Sequence, residues 1–361
     1  MKKVLFTIIS ICLATLPAFA QDAKFGRKVT DFTTGPKIGG YFIGKYTYTD
    51  QDGKHDGDGF SQRLVRIYAD GTILTDFKYR VQVQVNNASF HMKDYFVEWA
   101  HWKEFAVKVG QYKRAFLFEN PYNPWDVGFG DYSQITKMFS GMGDYCGEAS
   151  SAGGRDQGIQ IQGDLFPVSD GYRLLHYQLQ LMNGQGINTS DANATKDLIG
   201  TIQFQPIKDL YIGVFGWKGN YVGSIEDAAK NKYNVTVDRN RWAVSAKYEH
   251  NAWSARAEYV KSEGYKISDY DPVNKTFSGA GKADGWYAAV GVPCNDWLKV
   301  YTKYDVYRDQ ANKESMKTIY SVAPNFQIHK NLMLQLQYNY VDNRPTDSHW
   351  NELWAEFYVR F

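Results

Sequence analysis

The sequence predicts an all-β fold, a transmembrane antiparallel β-barrel of about 16 strands, on three observations. Apolar and polar residues alternate with period two through most of the chain after residue 36. The connections between the alternating runs switch between short and long, as they do when one rim of a barrel carries tight turns and the other carries loops. The chain ends on an alternating run whose last residue is Phe361. Composition points the same way, since 27 Tyr, 21 Phe, 10 Trp and 32 Gly favour strands and tight turns over helices. A barrel this wide encloses more volume than side chains can fill. Its apolar face must therefore meet lipid and its polar face must line water.

Met1–Ala20 reads as a secretory signal: Lys2-Lys3, an apolar stretch from Val4 to Leu16 too short for a bilayer span, and Ala18-Phe19-Ala20 ahead of the expected cleavage. A periplasmic N-terminal segment is expected over 21–36 and the barrel over 37–361. Without Lys2 and Lys3 the acids and bases of the chain balance, which excludes an electrostatic nucleic-acid binder. Cys146 and Cys294 remain after cleavage, too few for a disulfide framework, and no Cys/His cluster has metal-ligand spacing. No cofactor is expected.

Runs and breaks place the strands at 37–49, 60–70, 72–87, 92–100, 105–113, 154–165, 171–183, 197–206, 209–221, 237–250, 252–264, 284–293, 296–309, 315–329, 331–342 and 349–361. In 331–342, Leu332, Leu334, Leu336, Tyr338 and Tyr340 oppose Gln335, Gln337 and Asn339. The alternation is blurred in the first two runs and in the eighth and ninth. Asp70-Gly71 has hairpin chemistry and is expected as the second turn. The expected long connections are 50–59, 114–153, 184–196, 222–236 and 265–283. Trp99, Trp102, Trp217, Trp253, Trp286, Trp297, Trp350 and Trp354 lie near strand ends and suit interface girdles, with a lumenal place open to some of them.

Strand parity turns a set of bases inward: Arg66, Arg80, Lys108, Arg114, Arg239, Arg241, Lys247, Arg256, Lys299 and Lys303 are the pore-lining candidates. Arg239, Arg241, Lys247 and Arg256 fall on neighbouring strands. They form either a basic strip that attracts anions or a wall neutralised across strands by Glu249 and Glu258. Glu356 is expected to touch only water. The segment 114–153 is rich in Gly and aromatics and is read without secondary structure of its own. It either folds back into the lumen and narrows it or caps the barrel outside.

The stretches KVGQYKRAFLFENPYNP (108–124) and GGRDQGIQIQGDLFP (153–167), with the signal, the length and the terminal Phe, resemble the outer-membrane family of porins O and P, the phosphate-selective porins. The resemblance implies a 16-stranded barrel, often a homotrimer, whose third loop narrows a channel lined by Arg and Lys. It departs from that family's basic ladder in one place. Between residues 115 and 153 the chain carries Glu119, Asp126, Asp131, Asp144 and Glu148 against Lys137 alone. The terminal Phe resembles the signal read by the barrel assembly machinery. The expected function is passive diffusion of small hydrophilic solutes and ions across the outer membrane, phosphate or other anions among them, with outer-membrane lipid as the surroundings. A closed structural or adhesive barrel is the alternative. A barrel enzyme is a further one, and the seven scattered His, none in a Gly-rich nucleophile motif, count against it.

Overall fold

The computed structural model describes residues 32–53, 58–86, 89–227 and 229–361. The signal segment, its cleavage point and residues 21–31 lie outside the described residues. Sixteen strands close into one antiparallel barrel. They are β1 (Phe32–Thr49), β2 (Gly59–Ile73), β3 (Phe77–Asn86), β4 (Ser89–Trp99), β5 (Ala106–Lys113), β6 (Arg155–Pro167), β7 (Arg173–Met182), β8 (Asp197–Ile207), β9 (Leu210–Glu226), β10 (Lys232–His250), β11 (Trp253–Glu263), β14 (Lys282–Pro293), β15 (Leu298–Arg308), β16 (Met316–His329), β17 (Leu332–Asn343) and β18 (Ser348–Arg360). The two-residue strands β12 (Tyr270–Asp271) and β13 (Thr276–Phe277) form a separate ribbon between β11 and β14.

The barrel closes by pairing β1 with β18, from Tyr41 opposite Arg360 to Thr49 opposite Glu352. Beyond that ladder, Gly40 and Phe361 exchange backbone hydrogen bonds of 3.1 and 3.0 Å. A Cβ on Gly40 would come within 2.4 Å of the Phe361 ring, so the last side chain lies over a residue that can only be glycine.

The two faces invert the usual order of burial. On β17, Gln335, Gln337 and Asn339 are buried while Leu336 and Tyr338 are exposed. On β8, Leu198, Ile202 and Phe204 are exposed while Asp197, Thr201 and Gln205 are buried. An apolar outer face is stable only against lipid. The protein is thus a membrane-spanning barrel.

Several expectations need correction. Asp70-Gly71 is not a turn; β2 runs on to Ile73, and the chain reverses at Leu74 and Thr75, both with positive φ. Asp70 stays in the ladder because it forms a two-pronged ion pair with Arg80, its partner in register, at 2.7 Å. Gly71 stays because the Tyr79 ring lies across it, 2.5 Å from where a Cβ would be. The expected loop 222–236 is mostly ladder, since β9 and β10 pair out to Glu226 and Lys232. The 114–154 segment contains a short helix, α1 (Gln134–Ser140), capped by the Ser133 side chain, which accepts from the Thr136 N–H. Trp217 and Trp350 belong to no girdle; both are buried on the inward face.

Candidate functional site

The segment 114–154 leaves β5 and returns at β6, and its polar backbone is satisfied by inward-facing side chains of distant strands. The N–H groups of Phe118 and Glu119 donate to Glu258 of β11 at 2.7 and 2.9 Å. The Gly128 carbonyl accepts from Asn325 of β16 and Gln335 of β17. The Gly130 N–H donates to Gln337, and the Val127 carbonyl accepts from Arg256. At the start of α1, Gln134 N–H donates to Asp305 of β15 at 2.9 Å. Buried backbone needs such partners, and the wall supplies them as Gln, Asn, Asp and Glu.

Apolar contacts lie under the same segment. Phe116 meets Trp217 edge-on with centroids 5.5 Å apart, and Phe118 meets Phe215 at 5.3 Å. Phe139 of α1 packs against Tyr307 at 5.8 Å. These contacts explain the blurred alternation of β8 and β9. Ile199, Phe215 and Trp217 are inward-facing yet apolar because they seat the segment rather than line water.

Three of the candidate bases in this seat pair with carboxylates. Glu148 lies between Arg114 at 3.0 Å and Arg239 at 2.6 Å. Arg114 also pairs with Asp156 at 2.8 Å, and Arg239 with Asp197 at 2.7 Å. Arg241 grips Asp144 through both terminal nitrogens. Arg114 and Arg239 have no exposed surface, so they cannot line water. This corrects the basic strip: Arg239 and Arg241 are neutralised, but by the acids of the 114–154 segment and by Asp197, not by Glu249 and Glu258. Burial would lift the Asp144 carboxyl, yet the Arg241 guanidinium holds it well below the ordinary range. Burial wins at Glu148, whose carboxyl is pushed up despite Arg114 and Arg239. It also pushes the Cys146 thiol up to about 12.

Arg256, on β11, is buried beneath the same segment. Lys303 is buried near Asp305 at 3.6 Å and lies 4.6 Å over the Phe129 ring. Lys299 lies 4.6 Å over Tyr301.

The opposite wall differs. A cavity of about 260 Å³ lies between residues 115–123 and β2–β7, lined by Arg66, Arg80, Lys108, Lys113, Arg155 and Tyr122 among others. Arg80 pairs with Asp70, and Lys108 with Glu98 at 3.5 Å. Arg66 bonds to neutral partners, Gln84 at 2.7 Å and the Tyr41 hydroxyl at 2.8 Å. Lys113 donates to the Asn120 and Tyr122 carbonyls, and Lys93 to the Ser151 carbonyl at 2.5 Å. Arg155 pairs with Asp94 at 2.7 Å, the one carboxylate among the residues that line the cavity. A second cavity of about 260 Å³ shares Ala115, Pro121, Tyr122 and Gln178 with the first and extends it to Lys247. Lys247 lies 4.7 Å over Tyr211 and 5.2 Å over Phe118.

Parity reasoning missed Lys113 and Arg155 of this wall, the buried Lys93 next to Asp94, and Lys45 and Arg63 elsewhere. The register of β3 against β4 shifts between Val81 and Val83, and that of β1 against β2 between Ile43 and Gly44. The first shift falls at Lys93–Asp94 and the second at Arg63, and a single strand read alone does not show such a bulge. Lys113 and Arg155 face each other in an unbroken register, so no bulge accounts for them. Lys93 and Asp94, adjacent and both buried, carried the available signal, two consecutive charges in mid-strand. Glu356 is also corrected: it is buried, accepts from Arg63 at 2.7 Å and from Tyr358, and lies 3.6 Å from Lys45.

A family model described as Gram-negative porin matches residues 7–346. No curated protein matches the sequence. Among solved structures, the anion-selective porin from Comamonas acidovorans is similar at 12% identity, covering 91% of this chain and 99% of that one, with a TM-score of 0.65. OmpF of Salmonella typhi, in complex with daunomycin, is similar at 11% identity over 90% and 97% of the two chains, with a TM-score of 0.64. The trimer form of in-vitro folded OmpT, an outer membrane protein of Vibrio cholerae, is similar at 12% identity over 91% and 99%, with a TM-score of 0.60.

Proposed function

Because the chain belongs to the Gram-negative porin family, whose members are outer-membrane diffusion channels and not enzymes, we propose that its solutes pass along one side of the lumen. That side lies between residues 115–123 and the wall of β2–β8, and it favours anions. The segment 114–154 narrows the lumen by filling the other side.

The charge arithmetic at this passage carries the reading. The acids of the segment are spent elsewhere: Asp144 and Glu148 on buried arginines, Asp131 on Lys137 at 2.6 Å, Asp126 on Arg360 at 3.6 Å, and Glu119 on the Ser133 cap. Arg66, Lys93 and Lys113 form no ion pair among the described residues. The bases that line the cavity outnumber its one lining carboxylate, Asp94. Such a wall backed by low-dielectric barrel raises the local concentration of anions, and its reach of about 10 Å at 0.1 M salt spans a passage this narrow. The two cavities beside Tyr122 favour an open passage over a closed structural or adhesive barrel.

The finer likeness to porins O and P rests on 108–124 and 153–167, and Lys113 and Arg155 of those stretches both belong to this wall. The wall nevertheless favours general anion preference over a dedicated phosphate site, because its bases are spread over several strands and already bonded to amides, carbonyls and Asp94. We infer a homotrimer, as in the trimer form of OmpT, and engagement of the barrel assembly machinery through Phe361. In a potassium chloride gradient the reversal potential should show anion preference, and Arg66→Gln with Lys108→Gln should shift it toward cations. An unchanged potential would contradict this passage.

A further inference from the structure

We propose that the solutes this passage favours are small polyhydroxylated organic anions, the chemical class of sugar acids. The proposal rests on the anion-favouring passage above and deepens it.

Between the bases, the wall of the passage is made of amides. Gln82 of β3, Gln160 of β6, Gln178 of β7 and Gln203 of β8 face the two connected cavities. The glutamines of β6 and β7 form a ladder of their own: Gln180 donates to Gln160, Gln160 to Gln162, and Gln178 to Gln162 at 3.3 Å. That ladder fixes the carboxamides and leaves Gln178 with its carbonyl and one N–H to offer. The side chain of Gln203 makes no hydrogen bond among the described residues. A carboxamide presents a donor and an acceptor together, which is what a hydroxyl group needs; a bare halide needs donors alone.

The surface facing the amides is apolar and partly aromatic. Pro121 and Tyr122 of the 114–154 segment border both cavities, and Phe118 and Phe215 border the second. Such faces suit the C–H side of a sugar ring, which is apolar while its rim is polar. Bases flank and interrupt the amide row: Arg66 on β2 at one end, Lys108 on β5 between Gln82 and Gln160, and Lys247 on β10 at the other end. A hydroxylated body carrying a carboxylate meets cations, amides and ring faces in one groove. A neutral sugar leaves the cations unused, and an inorganic anion leaves the amides and rings unused.

The test uses the full-length channel in planar bilayers, with reversal potentials measured for potassium chloride, potassium glucuronate and potassium benzoate. Glucuronate should carry more current than benzoate. Gln178→Leu with Gln203→Leu should lower glucuronate permeability relative to chloride about fivefold, the weight of about one lost hydrogen bond. Tyr122→Leu should lower it roughly threefold through lost ring contact, and this variant keeps the test alive should the double one fail to assemble. A glucuronate-to-chloride ratio unchanged in these variants, or benzoate passing better than glucuronate, would overturn the proposal. Cation preference of the unaltered channel in potassium chloride alone would instead overturn the passage reading beneath it.

Discussion

The two sides of the lumen wall hold similar numbers of bases and use them in opposite ways. On β10 and at the foot of the 114–154 segment, Arg239, Arg241 and Arg114 are buried against Asp144, Glu148, Asp156 and Asp197. On β2–β7, Arg66, Lys93 and Lys113 bond to amides, hydroxyls and carbonyls and have no carboxylate partner among the described residues. The first set holds the segment through carboxylates; in the second, Lys93 and Lys113 hold it through its carbonyls, and Arg66 and Lys113 line the cavity. Inward direction alone does not make a pore-lining residue; the residue must also be left without a counter-charge and without a cover.

The largest expected effect comes from cutting the seat. Arg241→Ala leaves Asp144 buried without its partner, a loss of about 3–5 kcal/mol for a buried pair. The thermal midpoint should fall and single-channel conductance should rise and become noisy as the segment loosens. Arg80→Ala, which breaks the half-exposed pair with Asp70, should cost about 0–1 kcal/mol and leave the midpoint nearly where it was. Equal losses from the two would erase the distinction between the sides.

Glu356→Gln should fall between them. Glu356 holds Arg63 and the Tyr358 hydroxyl at the β1–β18 seam, and removing its charge should cost roughly 1–3 kcal/mol, read as a lower thermal midpoint. No change would mean that the seam does not depend on this cluster.

The smallest effect is that of mild acid. Asp144 is held below its ordinary range, so its contribution is complete above the unfolded value of about 3.9 and is lost only as pH falls through its lower folded value. Glu148 is shifted the other way and takes up its proton sooner, yet Arg114 keeps Asp156 and Arg239 keeps Asp197. Conductance should therefore be flat from pH 7 to about 4 and rise only in stronger acid. A rise between pH 7 and 5 would show that Glu148 alone holds the segment.

Legibility in the sequence follows the same division. β17 was plain because its outer Leu and Tyr meet lipid and its inner Gln and Asn meet polar groups, so the period-two contrast is complete. β8 and β9 were blurred because Ile199, Phe215 and Trp217 face an apolar cover supplied by residues nearly a hundred positions away. Asp70-Gly71 misled because a local turn preference lost to an ion pair and a ring contact with β3. Lys93 and Arg63 escaped because a bulge is a property of two strands. The inward bases could be named from parity, but which of them the 114–154 segment neutralises depends on tertiary contacts that parity does not contain.

Cysteine accessibility distinguishes a solute path along β2–β8 from one beneath the 114–154 segment. In a Cys294→Ser background, with native Cys146 buried, a single cysteine is placed at Gln178 on the open wall or at Ser321 on the covered one, and a small anionic thiol reagent is added while current is recorded. Block should be rapid at position 178 and absent at 321, where the native side chain is buried. Block at 321 as fast as at 178 would contradict it.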